Sequence, residues 1–172
     1  MKKHTPIKRH QALAAFSRDH HFGLLLVWKI NYGLDHAVAS ERISNYLLYF
    51  FEKDLKSHFE EEEQMLFPKL PPNNILRRQA EREHAILNRL IEQIRKDRQN
   101  GNLLLQFAQI LKDHIRFEER RLFAAIQDMT GDQGLATIVV HENSRGNEVD
   151  AGWNDLFWVA VKPACDSKRI IC

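Results

Sequence analysis

His58-Phe59-Glu60-Glu61-Glu62-Glu63-Gln64-Met65-Leu66-Phe67 and His114-Ile115-Arg116-Phe117-Glu118-Glu119-Arg120-Arg121-Leu122-Phe123 are two copies of one pattern, 56 residues apart. In each, a histidine and the glutamate four residues later lie on the apolar stripe of a helix that also carries leucine and phenylalanine. Positions i and i+4 differ by about 40° and one turn, so both polar side chains can reach one site. Upstream, Arg18-Asp19-His20 aligns with Arg82-Glu83-His84 at an offset of 64, with Leu26 and Ile30 over Leu90 and Ile94. The chain carries a His, His-x-x-x-Glu unit twice. Such self-similarity predicts two related helical hairpins, each too small to bury its own apolar face.

Helical periodicity dominates the remainder, and no convincing alternating strand is visible. A first helix is expected from about Gln11 to Tyr32, with the stripe Leu13, Phe16, His20, Leu24 and Val27, ending near Gly33. A second follows from about Glu41, with Ser40 as N-cap and Leu47, Phe51, Leu55, His58, Glu62 and Leu66 on one face, until Pro68, Pro71 and Pro72 stop it. A third starts near Asn74, presents Leu76, Ala80, His84, Leu87, Ile91 and Ile94, and ends around Gly101. A fourth runs from about Asn102 to Asp128 with Phe107, Leu111, His114, Glu118 and Leu122 aligned. These make an all-α, up-down-up-down four-helix bundle over about 11–128. The extension 129–172 is expected to hold a short helix within Asp132–Asn143 and an aromatic segment, Trp153 to Trp158, docked on the bundle. The 172 residues fit one domain.

Composition narrows function by exclusion. Twenty-five Lys and Arg face 23 Asp and Glu, interleaved and not gathered in a stripe, so no nucleic-acid partner is indicated. The apolar run Phe22 to Trp28 is far short of the ~20 residues that span a bilayer, and no secretory signal pattern precedes it. Cys165 and Cys172 do not form a disulfide framework, and a cytoplasmic setting with two free thiols is the simpler expectation. Lys2, Lys3, Lys8 and Arg9 read as a solvated arm, and His4, His10, His36 and His141 as surface histidines.

A lone histidine on an apolar stripe is ordinarily a hydrogen-bonded core residue, and one His-x-x-x-Glu arises easily by chance. Six matched polar groups are different. Burying an unpartnered neutral group costs about 1–3 kcal/mol and an unpaired carboxylate several more. Together they would rival the ~5–15 kcal/mol stability of a small domain. A cation turns these orphans into ligands. Four histidines and two carboxylates exceed the needs of one tetrahedral zinc, and two copies of the unit imply two metals bridged by the glutamates.

The pattern His20, His58-Phe59-x-x-Glu62-Glu63-x-x-Leu66-Phe67-Pro68, His84, His114-Ile115-x-x-Glu118-Glu119-x-x-Leu122-Phe123 resembles the bacterial hemerythrin-like domain, from about Gln11 to Asp128. The resemblance implies a four-helix bundle around two non-heme irons, bridged by two carboxylates and an oxo or hydroxo group. It implies that His20 and His58 bind one iron, that His84 and His114 bind the other, and that Glu62 and Glu118 are the bridges. Two departures stand out. Oxygen carriers of the family have a second histidine where this chain has Asn88, and an aspartate five residues after the last histidine, where it has Glu119. Fewer histidines leave irons more open to exogenous ligands, which points away from simple reversible oxygen carriage.

His20 is preferred to His21 because the repeat sets His20 over His84 and His21 over Ala85. Glu62 is preferred within Glu60 to Glu63 because Glu118 matches it, with Glu61 in reserve. Asp19 and Glu83 point about 100° from their histidines and read as surface charges or salt-bridge partners. The expected function is a di-iron protein that binds or senses O2, NO or peroxide, or handles iron under oxidative or nitrosative stress. A reading of another class is a helical interaction module with one structural metal such as zinc. No substrate-sized constellation of acid, base and nucleophile appears beyond the ligands. Ferritin-like proteins use Glu-x-x-His, the reverse order at a spacing of three.

Overall fold

The computed structural model describes residues 9–138 and 146–159. They are helical, with no strand among the described residues. α1 is Gln11–Asp35. Ser40–Phe50 (α2), a π-helical turn at Phe51–Leu55, Lys56–Glu61 (α3) and a second π turn at Glu62–Leu66 form a continuous rod, closed by a 3-10 turn at Phe67–Lys69 that contains Pro68. α4 is Ile75–Lys96. Gly101–Phe117 (α5), a third π turn at Glu118–Leu122 and α6 (Phe123–Leu135) form another continuous run, kinked at Gly131, whose φ of 66° is left-handed. α7 is Gly146–Ala151. None of these helices is long and apolar enough to cross a membrane.

Local chemistry sets the helix starts. Asn74 Oδ1 accepts from the amides of Leu76 (2.9 Å) and Arg77 (3.3 Å), and Asn100 Oδ1 accepts from Asn102 and Leu103. His10 Nδ1 accepts from the Ala12 amide and opens α1, a capping role for an expected surface histidine. Ser40 does not cap α2: Ala39 holds that position with no side-chain bond. Nor does Gly33 end α1, which runs on to Asp35. A Cβ on Gly33 would lie 2.7 Å from Ile43 Cδ1 and 3.0 Å from the Phe157 ring, so this glycine serves close packing. Gly101 likewise begins α5 instead of ending α4. Leu24, expected on the core stripe of α1, is 39% exposed; Gly23 and Leu26 turn inward instead.

α1 packs on α2 and α5, and α4 packs on α2 and α5. The apolar interior is two clusters. One includes Leu26, Ile30, Tyr46, Leu47, Phe51, Leu55, Leu87, Ile91, Phe107 and Leu111. The other includes Leu13, Phe16, Leu66, Phe67, Ala80, Leu122, Phe123 and Ile126. Each long rod contributes to both, and the histidines and glutamates of the repeat lie at the junction. Phe157 is buried, and Trp153 and Trp158 pack on Tyr46 at ring separations of 5.6 and 4.5 Å. His141, Cys165 and Cys172 lie outside the described residues.

Candidate metal centre

Glu62 and Glu118 each occupy the first position of a π turn, where one extra residue widens the helix. Such bulges cluster at functional sites because they re-aim a side chain without ending the rod. Both carboxylates are fully buried, and His20, His58, His84 and His114 are 4, 7, 1 and 1% exposed. Glu62 Oε1 lies 3.3 Å from His20 Nε2 and 3.2 Å from His58 Nε2, while its Oε2 lies 3.3 Å from His84 Nε2. Glu118 Oε1 lies 3.4 Å from His114 Nε2, and its Oε2 lies 3.1 Å from His20 Nε2. Two groups of donor atoms are close enough to hold a cation: Glu62, His84, His114 and Glu118, and His20, His58 and Glu62.

Behind each imidazole stands an acid. Nδ1 of His20, His84 and His114 lies 2.8 Å from Glu119, Glu63 and Glu83 respectively, and Nδ1 of His58 lies 3.7 Å from Asp19. The scheme follows the sequence repeat. Asp19 serves His58 as Glu83 serves His114, and Glu63 serves His84 as Glu119 serves His20. At His20, His84 and His114 the carboxylate on Nδ1 holds the proton there and turns the Nε2 lone pair inward, the usual backing of a metal-ligating histidine, whereas His58 Nδ1 makes no hydrogen bond among the described residues.

The inward atoms lack partners that fit. His20 Nε2 and all four oxygens of Glu62 and Glu118 have no hydrogen bond among the described residues, although nitrogens stand 3.1–3.4 Å away. His84 Nε2 and His114 Nε2 face one another at 3.0 Å, and with both Nδ1 positions protonated this would set lone pair against lone pair. Nitrogen and carboxylate donors converging on a dry space fit a divalent or trivalent cation of borderline hardness. Without one, the cluster must hold protons. Burial works against charge on His20, His58 and His84, yet the acids prevail: Glu118, Glu119 and Glu62 hold His20 well above its ordinary value, Glu62 and Asp19 raise His58 to about 10, and Glu62 and Glu63 raise His84 to about 9. Burial likewise opposes ionisation of Glu62, but His58, His20 and His84 keep its pKa well below the usual carboxylate range.

Comparison with protein families gives a match over residues 26–126 to hemerythrin, the hemerythrin HHE cation-binding domain. The chain belongs to this family. Neither the curated proteins nor the solved structures provide a match. Membership in the hemerythrin family implies cation binding, and the buried His and Glu cluster fits a metal site. His20 precedes the matched span, but the hemerythrin fold brings it to the cluster all the same.

Around that cluster, His21 is exposed and packs on Phe22, Glu60 and Asn88 are exposed, and Glu61 has no part in it. Asp19 and Glu83 are ion-pair partners of histidines on other helices, one of the two roles their spacing allowed. Arg9 corrects the expectation of a solvated arm: it pairs with Glu119 and lies 5.3 Å above the Phe123 ring. A second polar knot was missed in the sequence. Lys29, 2% exposed, donates to Asp150 Oδ2 (2.5 Å) and Tyr46 Oη (2.7 Å), and sits 4.1 Å above the Trp158 ring. Burial depresses its pKa while Asp150 opposes the fall. Its only sequence signal was a lysine three residues after the core Leu26.

Proposed function

We propose that this is a non-heme di-iron protein that binds or senses O2, NO or peroxide, or handles iron under oxidative or nitrosative stress. The observation that carries the reading is the division of labour within each carboxylate. Glu62 and Glu118 both direct one oxygen toward His84 or His114 and the other toward His20, with His58 sharing the Glu62 oxygen. On this assignment His20 and His58 would hold one iron and His84 and His114 the other, with Glu62 and Glu118 shared between the two and an oxo or hydroxo group completing the centre. Bound iron supplies Lewis acidity and a change of oxidation state. The protein's part is geometric: Glu63, Glu83, Glu119 and Asp19 orient the rings, and the two apolar clusters exclude water.

The up-down-up-down bundle belongs to the same proposal. α1 meets the Leu13 cluster before the Leu26 cluster; the next rod meets them in the opposite order, α4 reverses again, and the α5 run reverses once more. Gly23, Leu55, Leu111 and Ile115 wall the space beside His20, His58 and His114 tightly, which keeps the donor atoms out of bulk water.

The test is metal content and colour after aerobic purification. About two irons per chain with a near-ultraviolet oxo-bridge band is the expected result, and His58→Ala or Glu118→Ala should lower the iron. One colourless zinc would favour a structural metal in an interaction module. Retention of two irons by both variants would overturn the ligand assignment.

A further inference from the structure

Arg9 precedes α1, yet it reaches the most buried layer of the protein through a single side chain. Its guanidinium pairs with Glu119 Oε2 and donates to the Glu119 carbonyl (2.7 Å) and to Ser17 Oγ (2.7 Å). The other Glu119 oxygen, Oε1, meets His20 Nδ1 at 2.8 Å, and the opposite ring nitrogen, Nε2, stands 3.1 Å from Glu118 and 3.3 Å from Glu62. Phe123 completes the clamp, stacking on His20 at 5.4 Å and carrying Arg9 at 5.3 Å from its ring centre. None of the acids behind the other three histidines has an arginine or lysine partner of this kind among the described residues. The device therefore breaks the internal symmetry of the site.

We propose that Arg9 is a positioning residue for the metal centre: by locking Glu119 against His20 it couples docking of its own side chain to occupancy of the His20–His58 half. This rests on the metal reading above. A metal on His20 Nε2 fixes the ring, the ring fixes Glu119, and Glu119 is then preorganised for the planar fork of Arg9. Coupling of this kind is reciprocal, so a docked Arg9 slows metal loss and a bound metal holds Arg9 in place. Lysine would preserve the charge but not the fork.

The experiment uses the full chain as wild type, Arg9→Gln and Arg9→Lys, each loaded with zinc as a diamagnetic probe. Two quantities are read: the rate of metal release to EDTA, and the Nδ1–H proton resonances of the histidines in nitrogen-15-labelled protein. Arg9→Gln should release metal about tenfold faster, the lower end of the effect of losing an outer partner, and should move the His20 resonance alone. Arg9→Lys should fall between it and wild type. Unchanged release with an unmoved His20 signal overturns the role of Arg9, and so does a uniform shift of all four histidine signals, which would mean general loosening. Wild-type protein that takes up no metal fails the metal reading itself, an outcome distinct from normal loading with an inert Arg9→Gln.

Discussion

Raising the pH should destabilise the metal-free protein and leave the metal-loaded protein largely unaffected. His58 and His84 have pKa values raised to about 10 and about 9 from an ordinary 6.5, because Glu62 and its neighbours outweigh the burial that would lower them. The folded state then binds protons more tightly than the unfolded chain. The stabilisation is complete below about pH 6.5 and is lost as pH rises toward 9 to 10. Each pKa unit is worth about 1.4 kcal/mol, so His58 alone sets a scale of about 5 kcal/mol. His58 and His84 share Glu62, whose charge counts once, so the joint loss by pH 9.5 is put at about 4 kcal/mol, a large fraction of ~5–15 kcal/mol. On the acid side Glu62, depressed well below 4.5, contributes above that pH and loses its contribution as pH falls through its folded pKa. Metal removes the alkaline trend, since ligating histidines are already neutral and have no proton to lose, and binding adds its own stabilisation. Urea unfolding at pH 6.5, 8 and 9.5, with and without metal, reads this directly. An unchanged midpoint for metal-free protein between pH 6.5 and 9.5 would refute the account of a proton-filled cluster.

Glu83→Gln removes the charged acceptor behind His114 and should weaken metal binding by roughly 10- to 100-fold, measured by chelator competition, while circular dichroism stays helical. Asp150→Ala leaves Lys29 buried without its carboxylate. One-sided loss of a buried pair costs about 3–5 kcal/mol, but Asp150 is a third exposed and Lys29 keeps Tyr46 and the Trp158 face, so about 2–3 kcal/mol is expected in chemical denaturation. Lys29→Met should cost less than Asp150→Ala, and the reverse order would contradict this view of the knot.

The helices and the polar cluster were legible because both depend on spacing. His58 and Glu62, or His114 and Glu118, fall on one face at i and i+4, and the match of Glu118 to Glu62 separated the latter from its acidic neighbours. What spacing does not encode is the partner across the bundle. Asp19 lies beside His20 in sequence but serves His58, and Glu119 follows Glu118 but serves His20. The π turns that start at Glu62 and Glu118 have no residue-type signal of their own in the sequence. Gly33 was misread for a related reason: glycine marks a helix end and a close contact equally well, and only the Ile43 and Phe157 side chains decide between them. Lys29 and Asp150 are 121 residues apart, beyond any local signal.

Two irons that share Glu62 and Glu118 and an oxo or hydroxo group would form one electronic unit. Low-temperature Mössbauer and electron paramagnetic resonance spectra of the oxidised, iron-loaded protein distinguish such a pair from separate ions. The expected result is a strongly coupled diferric pair that is silent in electron paramagnetic resonance. A full-intensity signal from isolated high-spin ferric iron, at one or two ions per chain, would contradict it.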